Sequence, residues 1–153
     1  MTTPEPLPLL HTVRVVGAVS RALCAVTRGD YSGVRGPFGT VWPVAEAEGQ
    51  DLLLVAGGIG LTPIVSMWYA LIATRSEREI RIFYGVRNRA EHAMYHHLEA
   101  VRGQNPNIRK TVAYSRPTPT CRKGVDYDVK GHISVSLMRP LLPARDCLFY
   151  ICG

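Results

Sequence analysis

Residues 45–153 predict an α/β fold built on a parallel sheet, and three observations carry that reading. Strand-length apolar runs alternate with segments of helical periodicity from residue 51 onward. The first run, Asp51–Ala56 (DLLLVA), is apolar without alternation, as a strand covered on both faces requires. The link to the following helix is glycine-rich, GGIGLTP, and repeated βα units of this length imply right-handed crossovers in one sheet.

The N-terminal third has a different grammar. Met1–Leu10 is rich in proline and reads as an extended lead-in. His11–Val16 is β-branched and alternating, which predicts a strand ended by Gly17. In Ala18–Val26, Val19, Ala22, Leu23 and Val26 share one face, which predicts a short helix. Gly29-Asp30 turns the chain into a second predicted strand, Tyr31–Arg35, and Gly36, Pro37, Gly39 and Pro43 break the next stretch into a loop. Ala45–Gln50 is a small acidic connector, so the domain boundary is expected near Trp42–Glu48, dividing residues 11–44 from 45–153.

After Asp51–Ala56, Pro63 stands where a helix accepts proline in its first turn, and Ile64, Met67, Trp68, Leu71 and Ile72 recur at helical spacing to about Thr74. A second unit comes next: a strand over Glu79–Gly85 and a helix over Ala90–Arg102 with Ala93, Met94, His97, Leu98 and Val101 as its buried face. Asn105-Pro106-Asn107 is a turn, and Ile108–Tyr114 a third strand. Ser115–Gly131 reads as an irregular excursion. Ser134 caps a short helix running to Leu142, and Asp146–Ile151 is a fourth strand.

The 153 residues, 46% hydrophobic and 20% charged, suffice for about one domain with a real core. No apolar run approaches the roughly 20 residues of a membrane span, and no charged segment followed by an apolar one marks an export signal. The four cysteines, Cys24, Cys121, Cys147 and Cys152, form no CxxC pair, so free thiols in a reducing cytoplasm are expected. The net charge of +6 comes from 18 scattered basic residues, 15 of them Arg, with no stripe or tail that would track nucleic acid.

The GGIGLTP turn has a direct physical use. Glycines permit left-handed dihedrals and close approach, while the free amides and dipole of a helix start attract a pyrophosphate. No Gly-Lys-Ser/Thr comes after it, so it is not a P-loop. It departs from GxGxxG as well, with Pro63 at the third position and Gly85-Val86-Arg87 where an acidic ribose partner would stand. A plain tight βα turn remains the alternative.

Four segments on consecutive strands, LLLVAGGIGLTPIVSM, IRIFYGVRN, TVAYSRP and LFYICG, resemble the nicotinamide-dinucleotide domain of the ferredoxin-NADP reductase superfamily. Within it the chain is most similar to flavohaemoglobin-like, oxygenase-type and hydrogenase-associated reductases. Upstream, HTVRVVGAVSRAL and GDYSGVRGPFGTVWP resemble the last part of that family's FAD-binding β-barrel.

The resemblance implies that Gly57, Gly58, Ile59, Gly60, Leu61 and Thr62 hold the NAD(P) pyrophosphate and that Tyr84, Gly85, Val86 and Arg87 line the cleft. It places Ser115 and Arg116 at an adenosine 2′-phosphate, for which Arg is well suited; a simple loop charge is the alternative. Cys152 would lie beside the reacting nicotinamide, with Gly153 next to it. Gly17, Ala18, Val19 and Ser20 would meet the FAD pyrophosphate. Arg35–Gly39 corresponds to the loop closing the barrel, with Phe38 and Trp42 as packing residues.

The implied activity is hydride transfer from NAD(P)H to FAD, then single electrons to a protein or domain carrying a ferredoxin-like iron-sulfur centre or haem. The barrel strands ahead of His11 and the segment beyond Cys-Gly are missing relative to the family pattern. The reading is therefore a fragment or one half of a split reductase, completed by a companion subunit. The alternative is a dinucleotide-binding domain with neither flavin nor activity of its own.

Other constellations carry less. His92, His96 and His97 are expected on one helix as exposed or half-buried side chains rather than metal ligands, since no third ligand is in sight. Cys121, between Thr120 and Arg122, could have its pKa depressed by its basic neighbours, but a bystander thiol is the expectation. No serine stands in a nucleophile-elbow context.

Overall fold

The structure is a computed structural model that describes residues 10–36, 38–40, 42–44, 50–101, 105–142 and 146–153, with the backbone alone at 97, 100 and 101. The predicted lead-in over Met1–Leu10, the connector over Ala45–Gln50 and Pro37 therefore fall largely or wholly outside the described residues. The chain divides into two compact units, Met1–Thr40 and Val41–Gly153.

The second unit is a five-stranded, wholly parallel sheet. Its strands are β1 (Asp51–Gly57), β2 (Ile80–Val86), β3 (Ile108–Tyr114), the two-residue β4 (Val129–Lys130) and β5 (Cys147–Cys152). Their spatial order is β4-β3-β2-β1-β5, so the chain first moves outward from β1 and then returns to its other side. β1 is central, and Leu52, Leu53 and Leu54 are fully buried, each stabilising the fold by about 1.5–3 kcal/mol. This is the both-faces burial expected of DLLLVA.

Helix α2 (Leu61–Ala73) turns Leu61, Ile64, Val65, Met67, Trp68 and Leu71 into a buried cluster with Leu52, Leu54 and Ala56. The apolar spacing read from the sequence accounts for that face. Pro63 lies at the helix's third residue, within the first turn, where its missing N–H costs no intrahelical bond. Ser134 accepts a hydrogen bond from Leu137 N at 3.3 Å and caps α4 (Val135–Met138), which runs into a 3-10 turn, Arg139–Leu141.

Four expectations need correction. The helix expected over Ala90–Arg102 is broken: Asn88 caps a 3-10 turn at Arg89–Glu91, and α3 starts only at Tyr95 and ends at Val101. The break lies at His92, whose ψ of 89° leaves the helical region, and at Met94, which has a left-handed φ of 55°. It releases His92 to enter the core, 5% exposed, instead of standing on a helix face. Within the expected excursion, Val129–Lys130 forms a strand, because Asp128 Oδ2 accepts the Val112 amide at 2.7 Å while its own N–H donates to Val112 O at 2.8 Å. These bonds satisfy Val112 on the outer edge of β3.

The other two corrections concern residues 10–40. His11–Val16 and Tyr31–Arg35 form no strand, and among the described residues of this segment no sheet is present. A strand exists only through a partner's ladder of hydrogen bonds, and alternation alone cannot supply one. The helix expected over Ala18–Val26 is shorter, α1 being Ala18–Cys24, and its face of Val19, Ala22, Leu23 and Val26 is exposed. The segment is held locally: Asp30 accepts the Thr27 amide and hydroxyl at 2.8 and 2.9 Å, which lowers its carboxyl pKa.

Candidate dinucleotide site

In an open parallel sheet, ligands bind beyond the carboxyl ends of the strands, at the point where strand order reverses. Here that point lies between β1 and β5. β1 ends at Gly57 and β5 at Cys152, in a register that pairs Ala56 with Cys152. The crevice is therefore built from the two segments that the sequence marks out, Gly57–Thr62 and Cys152–Gly153.

The turn begins with a 3-10 segment, Gly58–Gly60, that leads directly into α2. Gly58 adopts φ 50°, a left-handed value that a side chain disfavours. Gly60 is required for another reason: a Cβ there would lie 2.2 Å from the Cys152 carbonyl oxygen. The end of β5 is packed into the turn, so this glycine serves the fold itself. Thr62 donates its hydroxyl to Ile59 O at 3.1 Å, closing the first turn.

The first N–H groups of a helix have no intrahelical partner. Neither the 3-10 segment nor α2 carries an acidic residue in its first turn or a side-chain cap. Leu61 N–H bonds back to Gly58 O, so an anion would meet the amides of the 3-10 segment and the positive end of the helix without a competing carboxylate.

The sheet end beside the turn is bare. Gly57 pairs with Gly85, Gly85 pairs with Ala113, and a Cβ on Gly57 would lie 3.3 Å from Gly153 Cα. Across four adjacent strands this row itself carries nothing larger than a methyl group, and the ends of β1 and β5 pack closely on one another. Ile133 is the one exception that the sequence did not reveal, its Cγ1 lying 3.2 Å from where a Gly85 Cβ would stand. The glycine-rich helix start, with no acidic residue in its first turn, would suit a dinucleotide diphosphate.

Two arginines border this row. Ser115 N donates to Val86 O at 3.0 Å and Arg116 N to Arg87 O at 2.8 Å, which joins the ends of β2 and β3. Arg87 and Arg116 are exposed, whereas Tyr84 and Val86 are buried in the core. Of the cleft residues implied by Tyr84–Arg87, only Gly85 and Arg87 present themselves at the surface.

Behind this end of the sheet lies an aromatic cluster. His92 Nδ1 is 2.7 Å from the Tyr114 hydroxyl, and the rings of Tyr84 and Tyr95 meet the imidazole edge to face, each 5.0 Å away. Burial, reinforced by Lys110 and Arg89, pushes the His92 pKa down to about 4. Tyr114 is raised by the same burial. Cys121 is lowered, chiefly by the Thr118 hydroxyl 3.2 Å from its sulfur rather than by a basic neighbour.

The segment Gly17–Ser20 is arranged differently. Ser20 Oγ accepts the Val16 and Gly17 amides, both at 2.9 Å, and donates to Gly17 O. The hydroxyl expected to receive an anion is committed to its own helix, which has seven residues and an exposed apolar face.

A parallel sheet whose switch-point crevice opens on a glycine-rich helix start defines a nucleotide-binding α/β domain. The sequence profile of the oxidoreductase NAD-binding domain family matches residues 54–153. The chain belongs to this family and is an NAD-binding oxidoreductase domain of the flavohemoprotein and reductase type.

A flavohemoprotein of Bordetella pertussis is 38% identical over 128 residues, which is 84% of this chain and 32% of that protein. The sulfhydrogenase 2 subunit gamma of Pyrococcus furiosus is 32% identical over 129 residues, 78% of this chain and 42% of the subunit. The chain thus spans about a third of the flavohemoprotein and under half of the gamma subunit. The cytochrome b5 reductase domain of Ulva prolifera nitrate reductase superposes with a TM-score of 0.71 at 26% identity, covering 90% of this chain and 54% of that one. Among the described residues no helix is long and apolar enough to cross a membrane, and no cluster of three or more His, Cys, Asp or Glu could hold a metal.

Proposed function

We propose that the chain is the NAD(P)H-binding part of an FAD-dependent oxidoreductase, with the dinucleotide lying across the carboxyl ends of β1, β2, β3 and β5. The observation that carries this reading is the convergence of Gly57–Thr62 with Cys152–Gly153 at the switch point. The helix start receives the diphosphate, Cys152 stands beside the nicotinamide, and Gly85, Arg87, Ser115 and Arg116 face the adenosine half. When bound, the nicotinamide supplies a hydride to a flavin. No side chain need act as acid or base; the protein contributes orientation at contact distance and exclusion of water.

The acceptor beyond the flavin is a haem or iron-sulfur centre, in keeping with the names of the flavohemoprotein and hydrogenase relatives. A cytoplasmic location is in keeping with the unpaired cysteines. A second reading, a domain that binds the dinucleotide but holds no flavin by itself, is favoured by the exposed apolar surface and absent strands of residues 10–40.

The test is titration with NADH and NADPH, and colour and dye reduction after FAD is added. Binding of the dinucleotides supports the site. A protein that stays colourless and inactive with FAD decides for the second reading. Arg116→Ala should lower the NADPH-to-NADH affinity ratio about tenfold, the worth of one charge-assisted hydrogen bond; an unchanged ratio means that Arg116 does not meet the 2′-phosphate.

A further inference from the structure

Three arginines, Arg87, Arg89 and Arg116, stand near the ends of β2 and β3, and the structure treats them unequally. Arg89 is engaged: its guanidinium lies 3.5 Å from the centre of the Tyr95 ring and its Nε 3.8 Å from Asp126. Arg87 is engaged as well, its Nη1 3.3 Å from Glu91 Oε1. No ion pair is formed by Arg116 among the described residues.

Glu91 reaches Arg87 because of local backbone geometry. Asn88 Oδ1 accepts the Ala90 amide at 3.0 Å and Asn88 O accepts the Glu91 amide at 3.2 Å. This one-turn 3-10 segment brings residue 91 back over residue 87. In the sequence, Asn88 and Glu91 have the spacing of a capping box, in which the glutamate would turn to its own helix start. Here it reaches Arg87 at the strand end.

We propose that Glu91 is a specificity-determining residue of the dinucleotide site, selecting against an additional phosphate on the adenosine ribose. The inference rests on the proposed placement of the adenosine half at Arg87 and Arg116. The two arginines are joined by the Arg116 N to Arg87 O hydrogen bond, so an anion held by Arg116 also approaches Arg87. A neutral ribose hydroxyl is indifferent to the Arg87–Glu91 pair. A dianionic phosphate must draw Arg87 away from Glu91 to gain its full charge. This opposes its binding, and it does not affect a ligand that lacks the phosphate.

The pair is partly exposed, with Arg87 at 60% and Glu91 at 35% side-chain accessibility, so the effect is modest and salt-sensitive. The probes are 2′,5′-ADP and 5′-AMP, which differ in this phosphate and need no flavin; affinities are measured by calorimetry on the whole chain. Glu91→Gln should raise the affinity ratio of 2′,5′-ADP to 5′-AMP about threefold at low ionic strength. The gain should shrink in about 0.5 M salt and vanish in an Arg87→Ala background.

Arg116→Ala serves as the independent control. If it lowers the ratio while Glu91→Gln leaves it unchanged or lowers it, the role of Glu91 is overturned and the site stands. If the Glu91→Gln gain persists without Arg87, the route through Arg87 is overturned. If Arg116→Ala leaves the ratio unchanged, the adenosine placement fails, and this inference with it.

Discussion

Residues 51–114 and residues 10–40 are both supplied with valine, leucine and tyrosine, yet only the first stretch buries them. Leu52, Leu54, Ile80, Ile82, Tyr84 and Tyr114 are essentially inaccessible, whereas Leu10, Val16, Val19, Tyr31 and Val34 lie on the surface. The difference is not one of propensity. β1 has neighbours on both sides and a helix over it, so each apolar side chain finds a partner; the residues of 10–40 have local caps and turns but no ladder. Burial belongs to pairs of elements, and a β-branched run without one remains extended chain.

Two glycines measure that contrast most directly. Gly60→Ala would push a Cβ to 2.2 Å from the backbone carbonyl of Cys152, and a backbone atom cannot swing aside as a side-chain tip can. The expected cost is about 3 kcal/mol, seen as a fall of about 10 °C in thermal midpoint, with loss of dinucleotide binding as β5 is pushed from the turn. Gly17→Ala, at an extended φ of −160° with nothing within 4 Å, should cost less than about 0.5 kcal/mol. Equal effects at the two positions would break the comparison.

His92 tests the same core by pH. The imidazole is buried with Tyr114, Tyr84 and Tyr95 around it; Lys110 and Arg89 oppose its protonation, and Glu99 and Asp126 favour it less strongly. Its folded pKa of about 4 lies below the ordinary value of 6.5, so the unfolded chain takes up the proton first. The stability present above pH 6.5 therefore drains as pH falls toward 4, by about 3 kcal/mol. Urea unfolding at stepped pH should show this slope, and His92→Phe should flatten it.

How much of this was legible in advance varies with the range of the interaction. DLLLVA and the Ile64–Leu71 spacing report burial through composition and period, and both the central strand and its helix can be read from them. The β1/β5 crevice was legible because its parts are glycines and a terminal Cys-Gly at strand ends. What escaped was set by contacts across the fold. Nothing local marks the His92–Tyr114 hydrogen bond, which spans 22 positions and interrupts a helix that AEHAMYHHLEA would otherwise continue. Nor does Ile133 carry any sign that it covers Gly85.

The smallest effect is expected at the sheet edge. Asp128 lies just before β4 and gives β3 both halves of a bridge, accepting the Val112 amide through its carboxylate and donating its own N–H to Val112 O. Asp128→Ala removes only the first of these, and at a partly exposed edge water can replace it. The cost should be about 1 kcal/mol, with hydrogen exchange accelerated at Val112 more than at Ile82 in the sheet interior. Equal acceleration at both amides would mean that the sheet opens as one unit and that its edge is no weaker than its centre.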